Sequence, residues 1–378
     1  MDFDLTDDQR LLGDSVARLL SNQYGFEQRK ALLKTEAGWS EALWRQYAEL
    51  GLLGLPIAED YGGFGGGPVD IMLLMQAFGR HLVLEPYLAT VVLGGTAVRL
   101  AGNDGQREEM LSGIAAGTTR LAFAHAERQA RYDLTDVLTT AKPNAGGFLL
   151  EGAKSVALHG DSADTLVVSA RTAGGRDDAD GLSLFLVDAA SPGVARRGYA
   201  LRDGTRAAEV ALSGVQVPRS ALLGTQDHAL PVIRRVVEAG IAATAAEVIG
   251  AMEAMQAMTL DYLKTRQQFG KPIGDNQALQ HRAAEMLVAL EQGRSMAMLA
   301  AVSVDEPDAE ERARAISMAK VGVGQAGRFV SQNAVQLHGG IGMTEEYAVG
   351  HFFRRVMVVE HMFGDTAYHL DRLADQVA

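Results

Sequence analysis

The stretch from Asp261 to Met286 most limits what this chain can fold into. A long helical pattern stops at Phe269-Gly270, a Gly/Pro turn follows through Lys271-Pro272-Ile273-Gly274, and Asp275 or Asn276 can cap a second long helix. The segment therefore reads as helix, hairpin, helix. The end of the first helix delivers a guanidinium (Arg266), an amide (Gln268) and an aromatic ring (Phe269) beside the tip of the turn. Such a set suits a bidentate diphosphate contact, a polar contact and a stacking surface. It suits equally a polar helix end with one buried Phe, because helix C-termini favour Arg.

A chain of 378 residues exceeds one ordinary core, so two or three domains are expected. From Thr6 to about Thr118 the apolar spacing is helical. Thr6 can cap a helix carrying Leu11, Leu12, Val16, Leu19 and Leu20, and further patterns cover residues 39–53, 69–78, 87–100 and 106–114. The glycine-rich break between Pro56 and Pro68 is not followed by Gly-Lys-Ser/Thr or preceded by a strand pattern, so it reads as structural punctuation and not as a phosphate cradle. Near Arg120 the period becomes alternating. Short runs at 121–124, 137–141, 147–150, 165–170, 182–187 and 208–212 predict a small β-barrel or sandwich. From Ala229 the text is helical again, with Ala- and Met-rich faces that permit close packing in a four-helix bundle; methionines at that spacing read as core. The predicted domains are 1–118, 119–224 and 225–378.

An apolar fraction of 47% with 22% charged residues describes a soluble globular chain. The net charge of -12 argues against a nucleic-acid partner, whose footprint is basic. Zero cysteines exclude disulfides, thiolate metal sites and cysteine nucleophiles, and no metal site is expected. The start, Met1-Asp2-Phe3-Asp4, is acidic where a secretory signal is basic, and no uncharged run reaches the roughly 18 residues that span a bilayer. The expectation is a cytoplasmic protein without a membrane partner.

The pattern Arg266-x-x-Phe269-Gly270-x-Pro272-Ile273, followed by Gln277 and Met286, resembles the signature of the acyl-CoA dehydrogenase family, flavoproteins that oxidise acyl-CoA thioesters between Cα and Cβ. Pro56 with Tyr61-Gly62-Gly63 resembles that family's N-terminal turn, and Gln336-Leu337-His338-Gly339-Gly340-Ile341-Gly342 its second element. With the order helical domain, β domain, helical bundle, the resemblance covers essentially the whole chain. It implies the acyl-CoA dehydrogenase fold: an N-terminal all-α domain, a middle β-barrel or sandwich domain and a C-terminal four-helix bundle. It also implies FAD as cofactor, an acyl-CoA substrate, an electron-transfer flavoprotein as acceptor, and a homo- or heterotetramer. Carried over residue by residue, Arg266, Gln268, Phe269 and Gln277 would contact the FAD of the neighbouring subunit, and Gln336, Gly339 and Gly340 its adenosine-diphosphate half. From the residues alone, Gly339-Gly340 reads equally as a plain helix stop or as bare backbone against a planar or phosphorylated partner.

The chemistry departs from that pattern. The Tyr-Glu-Gly-Thr segment that carries the family's α-proton acceptor matches Met362-Phe363-Gly364-Asp365, which places Phe363 where the carboxylate belongs. The alternative base position, on the helix leading into Arg266, is Gly240. Two other carboxylates are near in sequence. Glu238 would face about 200° away from Gly240 on a regular helix and reads otherwise as a solvent-facing partner of Arg234 or Arg235. Asp365 is placed with the cofactor residues or as N-cap of a last helix over 366–377. In the β domain the family's Glu-Pro-x-x-Gly-Ser-Asp loop reads Glu127-Arg128-Gln129-Ala130-Arg131-Tyr132-Asp133, and its Trp-x-Thr reads Val156-Ala157-Leu158.

Hydroxyl, indole and base are absent together, which resembles chains of heteromeric members. Within the family, the run from Tyr24 to Lys30 and Phe363-Gly364-Asp365 are similar to small subunits of the pimeloyl-CoA type. The expected function is α,β-dehydrogenation of a dicarboxylic, alicyclic or steroid-side-chain acyl-CoA within a heteromer, with Glu238 as candidate base. The alternatives are a non-catalytic subunit that completes a partner's FAD site, and a flavin monooxygenase relative.

Overall fold

The structure, a computed structural model, describes residues 5–376; the acidic start at Met1–Asp4 and the expected helix end at Val377 lie outside them. The first helices are α1 (Asp7–Gln23), α2 (Phe26–Leu32), α3 (Glu41–Glu49), α4 (Pro68–His81), α5 (Gly95–Ala101) and α6 (Asp104–Ala115). Thr6 with Gln9, and Asn103 with Gln106, form reciprocal capping boxes that satisfy the first N–H groups of α1 and α6. The helix expected over 87–100 is not uniform, because Leu88–Gly94 winds as a π-helix before α5. The hydroxyl of Thr90 bonds both the C=O and the N–H of Leu121, at 3.1 and 3.2 Å, which fixes this segment to the first strand.

The strands are β1 (Leu121–Ala124), β2 (Thr140–Asn144), β3 (Gly147–Leu158), β4 (Thr165–Arg171), β5 (Leu182–Asp188), β6 (Val194–Ala200), β7 (Arg206–Val217) and β8 (Leu222–Leu223). They form one eight-stranded sheet in the order β6-β7-β3-β2-β4-β5-β8, with β1 running parallel to β4. Two details correct the sequence reading. Val137–Thr139 are not strand, because the N–H groups of Leu138 and Thr139 donate to the Glu127 carboxylate. The strand β6 gave no apolar alternation because Arg196 and Arg197 sit on an exposed edge, the charged finish that discourages strand addition.

The last part is α7 (Leu230–Thr265), a two-stranded hairpin of β9 (Gln267–Gln268) and β10 (Lys271–Pro272), then α8 (Gln277–Ser303), α9 (Ala309–His338), α10 (Ala348–Glu360) and α11 (Thr366–Asp375). The first of these helices stops at Thr265, short of the expected Phe269-Gly270. Asn276 takes the N-cap position of α8, but its side chain turns back to Ile273 O and makes no cap bond.

The chain groups into two compact units. One comprises Met1–Ala31, Pro68–Val83 and Ile241–Ala378. Its core is Ala-, Val- and Met-rich, with Met252, Met255 and Met286 fully enclosed. A side chain at Gly79 would run into Glu247 O and one at Gly250 into Gln76 O, so α4 and α7 touch backbone to backbone. Beside this contact Arg355 clamps Glu247 through bonds of 2.6 and 2.7 Å. The other unit comprises Leu32–Gly67 and Leu84–Gly240, and its core is the inner face of the sheet, with Leu150, Leu166, Val168, Phe185 and Val187 fully enclosed.

Candidate functional site

The hairpin after α7 presents its groups to solvent. Phe269 and Gly270 both have left-handed backbone, at φ 53° and 79°, which makes the two-residue reversal between β9 and β10. This conformation turns the Phe269 ring fully outward at 101% exposure, so the buried-Phe reading is wrong. Arg266, Gln268 and Gln277 are exposed too. Among the described residues the Arg266 guanidinium has no hydrogen-bond or ion-pair partner, whereas the Gln268 amide donates to Gln267 O.

The second predicted element lies beside it. Tyr262, one turn before Arg266, stacks on His338 at 4.6 Å between ring centroids, and Tyr347 packs against the same imidazole at 5.0 Å. His338 Nδ1 donates to Ala334 O at 2.8 Å, and burial lowers its pKa. The buried imidazole thus holds the ends of α7 and α9 together within one unit. Gly339 ends α9 at φ 64° and ψ -141°, a conformation open only to glycine, so it is a helix stop. Gly340 is different. Its φ is ordinary and a side chain there would meet nothing within 4 Å, so nothing among the described residues requires a glycine at 340.

Sequence reading gave no role to Arg29, of the run 24–30, or to His351. Arg29, 1% exposed, donates to Leu82 O at 2.8 Å and to His351 Nδ1 at 3.1 Å. That acceptor role leaves the proton on Nε2, which donates to Glu345 O at 3.2 Å, just beyond Gly339–Met343. Burial lowers the His351 pKa, consistent with a neutral ring. The signal available was the aromatic-basic run itself, without an indication of its partner.

The segment matching the family's base is elsewhere in the same unit. Phe363 and Gly364 are left-handed, at φ 61° and 103°. His369 Nε2 donates to Phe363 O at 3.1 Å, and its Nδ1 accepts from the Ser317 hydroxyl at the same distance. Burial pushes this imidazole down to about 4. Asp365 caps α11 by accepting from Tyr368 N at 2.9 Å. Along α9, Ser317 and Gly339 are 22 residues apart, about 33 Å at 1.5 Å per residue. Phe363 and Asp365 are therefore not brought together with Gly339 and Gly340 in one chain. Glu238 sits in the opening turns of α7 and is only 7% exposed, so the solvent-facing reading is corrected.

In the β unit, Lys154 and Glu127 form an ion pair of 2.7 Å with side chains 0% and 3% exposed. Lys154 also donates to Ser169 Oγ at 3.0 Å and His125 O at 3.3 Å. Burial raises the Glu127 carboxyl, and the ammonium plus bonds from Thr139 and Gln129 overcome this to leave it at about 2. Burial lowers Lys154 to about 8 against the pull of Glu127. The pair ties the loop 127–133 to the strand β3 at its bulge between Lys154 and Ala157, where Val156 has φ 52°. A β-branched residue in that region is a true outlier, and such strain concentrates at functional sites. Among the described residues, five of the seven left-handed non-glycine positions (Arg131, Val156, His159, Phe269, Phe363) fall in or next to segments singled out from the sequence.

These elements present exposed polar, aromatic and glycine positions at two helix ends, and positions 363 and 240 hold Phe and Gly. Family models for the acyl-CoA dehydrogenase N-terminal, middle and C-terminal domains match residues 6–118, 122–215 and 230–378. The chain belongs to the acyl-CoA dehydrogenase family. It is 30% identical to acyl-CoA dehydrogenase FadE12 of Mycobacterium tuberculosis, over 91% of this chain and 89% of the relative. The structure of a steroid ACAD variant, Tcur3481-Tcur3483, superposes with TM-score 0.88 at 28% identity, covering 98% of both chains. That of butyryl-CoA dehydrogenase from Megasphaera elsdenii superposes with TM-score 0.88 at 25% identity over 100% of both.

Members of this family are FAD-dependent oxidoreductases acting on CH–CH donors, and the residues here fit such a group. Arg266 is an available diphosphate partner, Phe269 an uncovered stacking ring, and Gly340 a bare backbone whose outward side is open. No helix among the described residues is long and apolar enough to cross a membrane.

Proposed function

We propose that this chain is one subunit of a heteromeric acyl-CoA dehydrogenase, and that it completes an FAD site lying partly on another chain. The observation that carries this reading is the set Arg266, Phe269, Gln277 and Gln336 with the bare Gly340, all exposed and turned away from the chain's own core. The distance of about 30 Å along α9 between this set and the Phe363 turn supports a division of contacts between two sites. In this reading Arg266 pairs with the cofactor diphosphate, Phe269 covers one of its planar groups, and Gln268, Gln277, Gln336 and the Gly339-Gly340 backbone add polar contacts.

Bound FAD supplies the acceptor for the β-hydride. The chain must then offer a carboxylate to the α-proton or leave that step to its partner. Glu238 is the candidate within the chain, because its carboxylate is buried and the usual positions hold Phe363 and Gly240. Asp365, already bonded to Tyr368 N, is the weaker one. The substrate we propose is a dicarboxylic acyl-CoA of the pimeloyl class, or an alicyclic or steroid-side-chain thioester, with an electron-transfer flavoprotein as acceptor. A second reading, favoured by Phe363 and Gly240, is a structural subunit whose partner does the chemistry.

The test is anaerobic flavin bleaching by acyl-CoA in the assembled complex. Loss of a positioned base lowers the rate by about 10²- to 10⁴-fold, so Glu238→Gln should do so if this chain abstracts the proton. Wild-type rates in both Glu238→Gln and Asp365→Asn assign the step to the partner.

A further inference from the structure

A small cavity lies between α7, α9 and α10 of the helical unit, lined by Thr244, Lys320, Gly324, Val356 and Glu360 among others. Its volume is about 10 Å³, roughly what one water molecule needs and too little for anything larger. Its walls hold two opposite charges that are 4% and 3% exposed, Lys320 and Glu360.

Their bonding is incomplete in a complementary way. Lys320 Nζ donates to Val359 O at 2.7 Å, which uses one of three N–H donors. Glu360 Oε1 accepts from Arg328 at 3.1 Å and from Thr366 N at 3.2 Å, whereas the buried Oε2 has no hydrogen-bond partner among the described residues. The buried hydroxyl of Thr366 has none either. A side chain at Gly324 would strike both Glu360 Oε2 and Thr366 Oγ1, so a glycine keeps this space open. A carboxylate oxygen left without a donor in the interior is costly. Protein groups alone leave that cost standing here.

We propose that the cavity is the binding site of one resident water, which accepts a hydrogen bond from Lys320 and donates to Glu360 Oε2, with Thr366 Oγ1 as a further partner. The ligand is water and not a monovalent cation, because the ammonium of Lys320 forms part of the same wall. The water makes Lys320 and Glu360 a bridged ion pair beneath the 362–365 turn, where His369 holds Phe363 O and Asp365 caps α11. This buried charge network therefore sits under the turn that lacks the family's carboxylate.

The test is a crystal structure of the full-length chain at a resolution that shows ordered solvent, with a second crystal soaked in rubidium chloride. The expected result is one solvent peak within about 3.2 Å of both Lys320 Nζ and Glu360 Oε2, with no anomalous rubidium signal there. An empty cavity, a direct Lys320–Glu360 contact or a rubidium peak overturns the proposal. In the paired variant Lys320→Met/Glu360→Leu the peak should vanish while the fold is kept; a peak that persists unchanged also overturns it.

Discussion

Removing one partner of the Lys154–Glu127 pair tests how far the β unit depends on a buried charge. In Lys154→Met the Glu127 carboxylate stays enclosed and keeps its bonds from Leu138 N, Thr139 N and Gln129 but loses the ammonium at 2.7 Å. Breaking such a pair by truncating one member costs about 3–5 kcal/mol, and replacing both members by apolar groups is often near neutral. The three surviving bonds place the expected cost near 3 kcal/mol. Domains of this size shift by about 2–4 °C per kcal/mol, so the melting temperature should fall by about 6–12 °C. The double variant Lys154→Met/Glu127→Leu should recover most of that loss. Calorimetry with urea unfolding is the assay, and an unchanged urea slope would show that the loss lies in the native state. A single variant within 1 kcal/mol of the parent would refute the reasoning, as would a double variant as unstable as the single one.

Burial holds His125 at about 3 and His369 at about 4, against an ordinary 6.5. With folded values depressed, the unfolded chain binds more protons below pH 6.5, so stability is full above that pH and is lost on acidification. At about 1.4 kcal/mol per pH unit per group, moving from pH 7 to pH 5 should cost on the order of 4 kcal/mol; a constant urea midpoint would contradict this. Gly250→Ala places a methyl group against Gln76 O and should destabilise by about 1–3 kcal/mol, whereas Gly340→Ala should leave the melting temperature unchanged and lower flavin retention.

Much of the fold was legible because period and caps agree: Thr6, the run at 182–187 and the stop at Gly339 each mark a boundary where the structure has one. What stayed hidden was set by tertiary partners. Val137–Thr139 alternate like a strand, yet the N–H groups of Leu138 and Thr139 go to Glu127 and that of Val137 to Arg176 O. Arg196 and Arg197 carry no period because an edge strand needs none. The same limit applies to the site. Arg266, Phe269 and the two glycines could be named from sequence, since their order is a pattern. The burial of Glu238 and Lys154, and the full exposure of Phe269, depend on neighbours far away in the chain.

The most direct test of a shared cofactor site is the FAD content of this chain, purified alone and assembled with its partner chain, with and without Arg266→Ala. Well under one FAD per chain is expected in isolation, and stoichiometric flavin on assembly. Arg266→Ala removes a charge-assisted contact of about 1.5–3 kcal/mol, so retention in the assembled form should weaken by roughly ten- to a hundredfold. One tightly held FAD per isolated chain, unaffected by Arg266→Ala, would contradict it.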